Sequence, residues 1–305
     1  MHKNILTVVG ITILFLGMSI TPSVAGDTVK KSSMPISNGN TLYVGGSGEG
    51  NYTSIQDAID DANDGDTVFV YDESSPYYEN VVIGRSINLI GEDKNTTVID
   101  GMKYATVVSV QANKIYISEF TIRNSGNEYF RVGIDIGQFS NNNIITSNII
   151  TNNWKGIRLV KSNRNTIQGN KISNNSYGVS SINCHLQAIK GNTIINNGYG
   201  ISLGHSFGTI ITGNNITSNK DYGIYISKWG GVIILKNNFI DNEEDAYFWQ
   251  NIFRNRWKQN YWNGPLKLPK IIYGKLILVG HSMPLELTVI NIDWRPASEP
   301  YDIGV

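Results

Sequence analysis

Five asparagines, Asn148, Asn170, Asn192, Asn214 and Asn237, recur at spacings of 22, 22, 22 and 23 residues, each opening the same short phrase. The phrases are Asn148-Ile149-Ile150, Asn170-Lys171-Ile172, Asn192-Thr193-Ile194, Asn214-Asn215-Ile216 and Asn237-Asn238-Phe239. A second column keeps step: Gly156-Ile157, Gly178-Val179, Gly200-Ile201 and Gly223-Ile224, with Ala246 in the glycine place of the fifth unit. Self-similarity at a fixed period of this length marks a solenoid, whose units bury their apolar faces only against one another. Function in such a chain has to sit on stacked, repeating surface.

The period and its punctuation select the kind of solenoid. Apolar and polar residues alternate within a unit, as in Thr166-Ile167-Gln168-Gly169, which puts the isoleucines on one face of a strand. Clusters such as Asn174-Asn175-Ser176 and Asn196-Asn197-Gly198 cut each unit into short strands. A unit of 22 residues then holds about three strands plus turns, which is one coil of a parallel β-helix. Stacking at about 4.8 Å gives roughly nine coils in a rod about 43 Å long, with isoleucines filling the bore. Identical asparagines stacked one strand spacing apart can pair amide to amide in a ladder. Removing one would leave its neighbours unpaired, at about 1–3 kcal/mol. The column glycines mark positive φ or another backbone too close for a side chain.

The flanks divide the chain further. Residues 1–25 read as an export signal, with His2 and Lys3, an apolar run over 5–20, and the small-residue site Ser23-Val24-Ala25. That run is short for a bilayer span, so membrane attachment is expected only through an uncleaved signal. Residues 26–40 read as a linker and 41–262 as the β-helix with its N-terminal cap. In the cap, Ile55, Ala58, Ile59 and Ala62 share one helical face, and Thr53 or Ser54 can cap the first turn. Further strands are expected at 41–44, 67–70, 80–83, 87–90, 98–100, 106–110 and 115–117. The repeat fades from Phe248, where Trp249, Trp257, Tyr261 and Trp262 gather. Residues 263–305 read as a C-terminal capping segment with strands at 271–279 and 285–292. The single cysteine, Cys184, excludes an intramolecular disulfide. Asn51, Asn95, Asn174 and Asn215 begin Asn-x-Ser/Thr acceptors, which matter only in a host that glycosylates exported proteins.

These residues carry a resemblance. The Asn-x-Ile…Gly-Ile units resemble the repeats of the NosD-like family within the pectin-lyase-like superfamily. The opening 52–62, with Gly65-Asp66-Thr67-Val68, Tyr78-Glu79-Asn80-Val81 and the segments 87–91 and 97–101, resembles the start of pectin methylesterases and other carbohydrate-associated β-helices. The tail, Asn260-Tyr261-Trp262 with Asp293-Trp294 and 299–303, resembles exported β-helix proteins of archaea. The resemblance implies an all-β, right-handed parallel β-helix. It leaves function open, because this fold hosts esterases, lyases, hydrolases and inert binders.

The chemistry of those enzymes can be checked residue by residue. A methylesterase of this superfamily needs paired aspartates in a Gly-x-x-Asp-Phe-x-x-Gly setting and a following Arg-Pro-Trp. This chain offers Asp135-Ile136-Gly137 and then no acid until Asp221. Galacturonase-type hydrolysis needs an acid and a base on neighbouring strands, and its Asn-Thr-Asp, Gly-His-Gly and Arg-Ile-Lys phrases are absent. A calcium-assisted lyase needs clustered carboxylates. Asp241, Glu243, Glu244 and Asp245 crowd one short stretch and read as a solvated loop. No catalytic residue is assigned, and a degenerate carbohydrate-active enzyme stands as an alternative.

The NosD resemblance also implies a link to maturation of a copper enzyme. Copper favours sulfur and imidazole, which makes Cys184 and His205 the metal candidates, with His185 beside them. Cys184 aligns with Ser206 in the 22-residue register, so His205 lies one coil on and one residue off. Copper is the alternative to an expectation of no cofactor.

Binding uses what the repeats offer. Tyr177, Tyr199 and Tyr222 each precede a column glycine and should stack as a stripe, with Trp154 at the preceding coil. Beside them Lys155, Arg158 and Lys171 could draw acidic groups while the rings hold sugars by their apolar faces. Net charge is zero, but residues 27–135 carry 16 acids against 8 bases, and 136–220 carry 7 bases and no acid. Such asymmetry steers anionic partners. Nucleic acid suits the same mixture, yet export and neutral net charge argue against it. The expectation is an exported, non-catalytic protein, extracellular or at the cell surface, whose partner is an envelope glycan or a surface protein.

Overall fold

The alternating pattern becomes three short strands per unit in the computed structural model, which describes residues 39–304 except 127, 129, 252, 265–267 and 279–284. The expected export signal (1–25) and most of the linker lie outside the described residues. In one unit Lys155–Val160, Thr166–Gln168 and Lys171–Ser173 follow one another, and Tyr177–Ile182 opens the next. Partners sit 22 residues apart in parallel register: Ile157 with Val179, Ile167 with Ile189, Ile172 with Ile194. The coils therefore build three parallel sheets. Sheet 1 runs from Val81–Ile83 to Lys270–Leu278, sheet 2 from Thr41–Val44 to Leu285–Asp293, and sheet 3 from Val98–Asp100 to Tyr261–Trp262. The whole is a right-handed parallel β-helix of about 10 turns. Roughly nine had been expected. The repeat fades in sequence at Phe248, but Glu244–Trp249, Arg256–Lys258 and Tyr261–Trp262 still complete a coil.

Ile157, Ile172, Ile194 and Ile216 are among the fully enclosed side chains of the bore, each worth about 1.5–3 kcal/mol relative to exposure. The corners follow a two-residue rule. Asn152, Asn174 and Asn196 take left-handed φ of 56–57°, a conformation asparagine tolerates because its short amide can bond locally. The next asparagine in each case, Asn153, Asn175 or Asn197, turns inward and is buried. The column glycines have a different reason. A Cβ on Gly178 would lie 2.6 Å from the Gly200 carbonyl oxygen, so close approach, not positive φ, requires glycine there.

The expected ladder positions form a continuous chain of amides. Asn148, Asn170, Asn192, Asn214 and Asn237 are fully buried. Each Nδ2 donates to the Oδ1 of the next coil's asparagine at 2.9–3.2 Å, and Asn237 continues the chain to Asn260. Asn260 in turn donates to the carboxylate of Asp293 at 3.0 Å. That carboxylate also accepts from the Gln259 and Asn260 backbones and from Trp262 Nε1. An anion thus meets the donor end of a row of aligned dipoles.

Both ends are covered. Helix Ile55–Asp61 buries Ile55, Ala58 and Ile59 and packs on Thr41–Val44, Thr67–Val70 and Val81–Ile83. Its free N–H groups at Ile55 and Gln56 donate to the Glu79 carboxylate, and Ser54 accepts from Asp57, which satisfies an otherwise orphaned first turn. At the other end Lys270–Leu278 and Leu285–Asp293 form an antiparallel hairpin that joins sheet 1 at Gly274 and sheet 2 at Asp293. Of the four aromatics expected to plug this end, Trp257 and Trp262 are buried, with Phe239 stacked on Trp262 at 4.4 Å. Trp249 and Tyr261 are only half-buried.

Candidate functional site

The corner between sheets 3 and 1 repeats in every coil, so whatever it presents is presented in a row. It lines an open groove of about 850 Å³, flanked by Trp154, Tyr177 and Tyr199, with Lys103, Lys220 and Asp221 at its margins. The groove runs on past the shared Lys220 and Asp221 to Tyr222, Glu243 and Glu244. Under it lies a second amide ladder that the sequence reading took only as turn residues. Asn175 donates to Asn197 at 3.0 Å, Asn197 to Asn219 at 3.2 Å, and Asn219 to Asn242 at 2.8 Å. The signal was present, because Asn153, Asn175, Asn197, Asn219 and Asn242 keep the same period. It was hidden by the doubled asparagines at 152–153, 174–175 and 196–197, of which only the second is buried.

Tyr177 and Tyr199 stack at 4.8 Å with 15° between planes, and Tyr199 and Tyr222 follow at 5.5 Å. A centroid separation equal to the strand spacing means the rings lie coil on coil, face to face along the rod. Tyr177 and Tyr199 thus cover one another's facing sides, while Tyr222 is tilted 37° from Tyr199. Tyr225 and Tyr247, which the sequence reading did not single out, join the cluster: Tyr225 stands edge-on to Tyr199 at 5.9 Å and stacks on Tyr247 at 6.0 Å. Burial, then the charge of Asp221, pushes the Tyr199 phenol up. Burial, then Glu244, does the same at Tyr222. Both hydroxyls stay protonated and able to donate well above neutral pH.

The cations near the stripe are not equivalent. Arg158 is held in a two-pronged pair with Asp135, Nε to Oδ1 at 2.8 Å and Nη2 to Oδ2 at 2.7 Å. Lys155 is buried, with its ammonium 5.5 Å over the Tyr177 ring. Burial, with Arg158 adding repulsion, lowers its pKa. Lys171 is exposed on sheet 3, away from the groove lining. The cations that do face the groove are Lys103 and Lys220, both exposed.

Cys184 and His205 point into different environments. The Cys184 thiol lies in the bore, donating to the Ile182 carbonyl at 3.2 Å and accepting from the Ser162 N–H at 3.4 Å. His205 is at the surface, edge-on to Trp229 at 6.1 Å, and His185 stacks on the same indole at 5.5 Å. Among the described residues no three His, Cys, Asp or Glu side chains cluster as metal ligands. Nor is any helix there long and apolar enough to cross a membrane.

Comparison with solved structures places the architecture. An alginate lyase from Paenibacillus sp. str. FPU-7 is similar over 74% of this chain and 91% of its own, with 13% identity and a TM-score of 0.54. Pectate lyase Pel9A is similar over 74% of this chain and 70% of its own, at 14% identity and a TM-score of 0.43. PfbA, a surface adhesin of Streptococcus pneumoniae, covers 77% and 70% at 10% identity and a TM-score of 0.41. At such identities the likeness is one of fold. No curated protein sequence matches the chain. The family model described as periplasmic copper-binding protein (NosD) matches residues 59–277, well over half of the sequence, and the chain belongs to that family.

Proposed function

We propose that this NosD-family β-helix binds a glycan along the groove at the corner of sheets 3 and 1, outside the cytoplasm and without cleaving it. The observation that carries this reading is the lining. Tyrosines and corner asparagines repeat at the coil spacing beside one indole, Trp154. A long, open groove of mixed polar and aromatic lining suits a polyhydroxylated chain better than a compact apolar ligand, which would need an enclosed pocket. Lys103 and Lys220 are offset by Asp221, Glu243 and Glu244 along the groove, which favours a neutral sugar chain. Arg158 and Lys155 are engaged with Asp135 and Tyr177 and supply little further pull.

The test is electrophoresis of the full chain in native gels cast with neutral or acidic polysaccharides. Retardation is expected, and Tyr199→Phe should weaken it about fivefold through one lost hydrogen bond. Trp154→Ala should weaken it at least as much. Free migration in every gel would overturn the reading.

The family match favours a second reading, a NosD-like role in maturing a copper enzyme. The described residues do not fit a resident copper site. The one thiol is enclosed in the bore, His205 lies outside against an indole, and Met102, the one described methionine, sits in the turn after Val98–Asp100. Such a role would run through a partner protein. Copper that remains bound after gel filtration and is lost on Cys184→Ala or His205→Ala would favour resident metal instead.

A further inference from the structure

The opposite edge of sheet 1 carries a row of side chains that the groove does not use. Six successive coils turn there from sheet 1 into sheet 2, at residues 138–143, 161–165, 183–187, 205–209, 228–232 and 250–255. Left-handed backbone recurs in all six turns, at Phe139, Lys161, Leu186, His205, Trp229 and Gln250, and it is the exposed side chains that make this corner a ridge. Phe139 stands on it 73% exposed, and Leu186, Phe207, Trp229 and Phe253 are 41–48% exposed. The rings are held in place by one another. Phe207 meets Phe253 edge-on at 5.5 Å, and Trp229 lies flat on His185 at 5.5 Å with 4° between planes. Lys161, Arg164 and Arg254 are exposed on the same turns and Lys228 is half-buried, while none of the six turns contains an aspartate or glutamate.

Scattered apolar side chains on a surface need no explanation, but five gathered on one corner of the stack over about 24 Å, among cations and without a carboxylate, do. A ridge cannot enclose a small ligand or a peptide. It can press side chains into a flat surface. Aromatic rings favour the headgroup level of a bilayer, and each lysine or arginine near an anionic leaflet strengthens binding about fivefold. The absence of carboxylates along the ridge removes the groups that such a surface would repel. We propose that this ridge docks the rod lengthwise on an anionic lipid surface, with Phe139, Leu186, Phe207, Trp229 and Phe253 entering the headgroup layer.

The experiment is sedimentation of the full chain with vesicles of phosphatidylcholine, with and without phosphatidylglycerol. Wild type should sediment with the anionic vesicles. Replacing Phe139, Phe207 and Phe253 together by serine should weaken this at least about tenfold, since binding scales with the apolar area buried. Lys161→Glu with Arg164→Glu should weaken it about fivefold per cation at low salt, with the difference shrinking at high salt. The charge pair lies on exposed side chains, so it tests the ridge even if the triple variant folds poorly. No sedimentation of wild type would overturn the proposal and point to an acidic protein surface as the occupant. Equal sedimentation of all three chains would also overturn it and assign lipid contact to residues 5–20.

Discussion

At the scale of single residues, buried amides and buried carboxylates, Asp293 and Asp100 among them, set the energetics. Asn192 donates to Asn214 and to the Ile167 and Lys190 carbonyls while accepting from Asn170. Asn192→Ala strands these groups in a dry interior, so urea unfolding should show a loss of about 1–3 kcal/mol, or more if several groups stay unpaired. A larger effect is expected at Asp293, where Asp293→Ala leaves donors from Asn260, Gln259 and Trp262 without their acceptor. Thermal unfolding should register about 3 kcal/mol there. Asp100 gives the pH dependence. Burial alone would raise its pKa, but the Met102 N–H, Arg123 and Asn124 outweigh burial and hold it below the ordinary aspartate value. A depressed folded pKa means stability that is present above the unfolded value and lost as pH falls towards the folded one. The unfolding midpoint should therefore drop below about pH 4, and Arg123→Gln should flatten that drop.

At the scale of elements, the corner governs what each strand can present. The glycine column lets the chain pass within contact of the next coil's backbone. Gly178→Ala would set its Cβ against the Gly200 carbonyl and the Ile194 methyl, and overpacking of this kind costs about 1–3 kcal/mol. A falling melting temperature with an unchanged β spectrum would be the result. The doubled asparagines show how far local sequence can be read. That corners lie at 152–153, 174–175 and 196–197 is legible, because asparagine pairs interrupt an alternating pattern. Which of the two is buried is not legible from one unit. It follows from where a left-handed residue sends the side chain after it. The hairpin strands at 270–278 and 285–293 were legible within a residue, whereas their attachment to both sheets was not, since pairing partners lie outside any local window.

At the scale of the whole molecule, register is the invariant. From Ile144 to Trp262 each coil pairs with the next at 22 or 23 residues, while earlier coils pair at up to 28, and stability in such a stack is a sum of units and neighbour interfaces. Removing residues 171–192, one whole coil, joins Asn170 to Thr193 in phase and should leave a folded, somewhat less stable rod. Removing 171–191 instead shifts the following strands by one residue and turns their isoleucines outward. Circular dichroism melts of the two chains should separate them, the first cooperative and the second aggregated or unfolded.

The sequence by itself determined the β-helix, its coil length, the apolar bore, the first asparagine ladder and the stack of Tyr177, Tyr199 and Tyr222. All of these are periodic, and a period repeats the same local contact until it is visible in one dimension. Only the tertiary structure decided what those periodic columns face. Arg158 is spoken for by Asp135, Lys155 is buried over Tyr177, and Lys171 stands on another sheet, although all three look alike as cations in sequence. Cys184 and His205, adjacent in register, part company because neighbouring positions around a corner point to opposite sides of the wall. Direction relative to the bore is a property of the closed coil, and no single strand of sequence contains it.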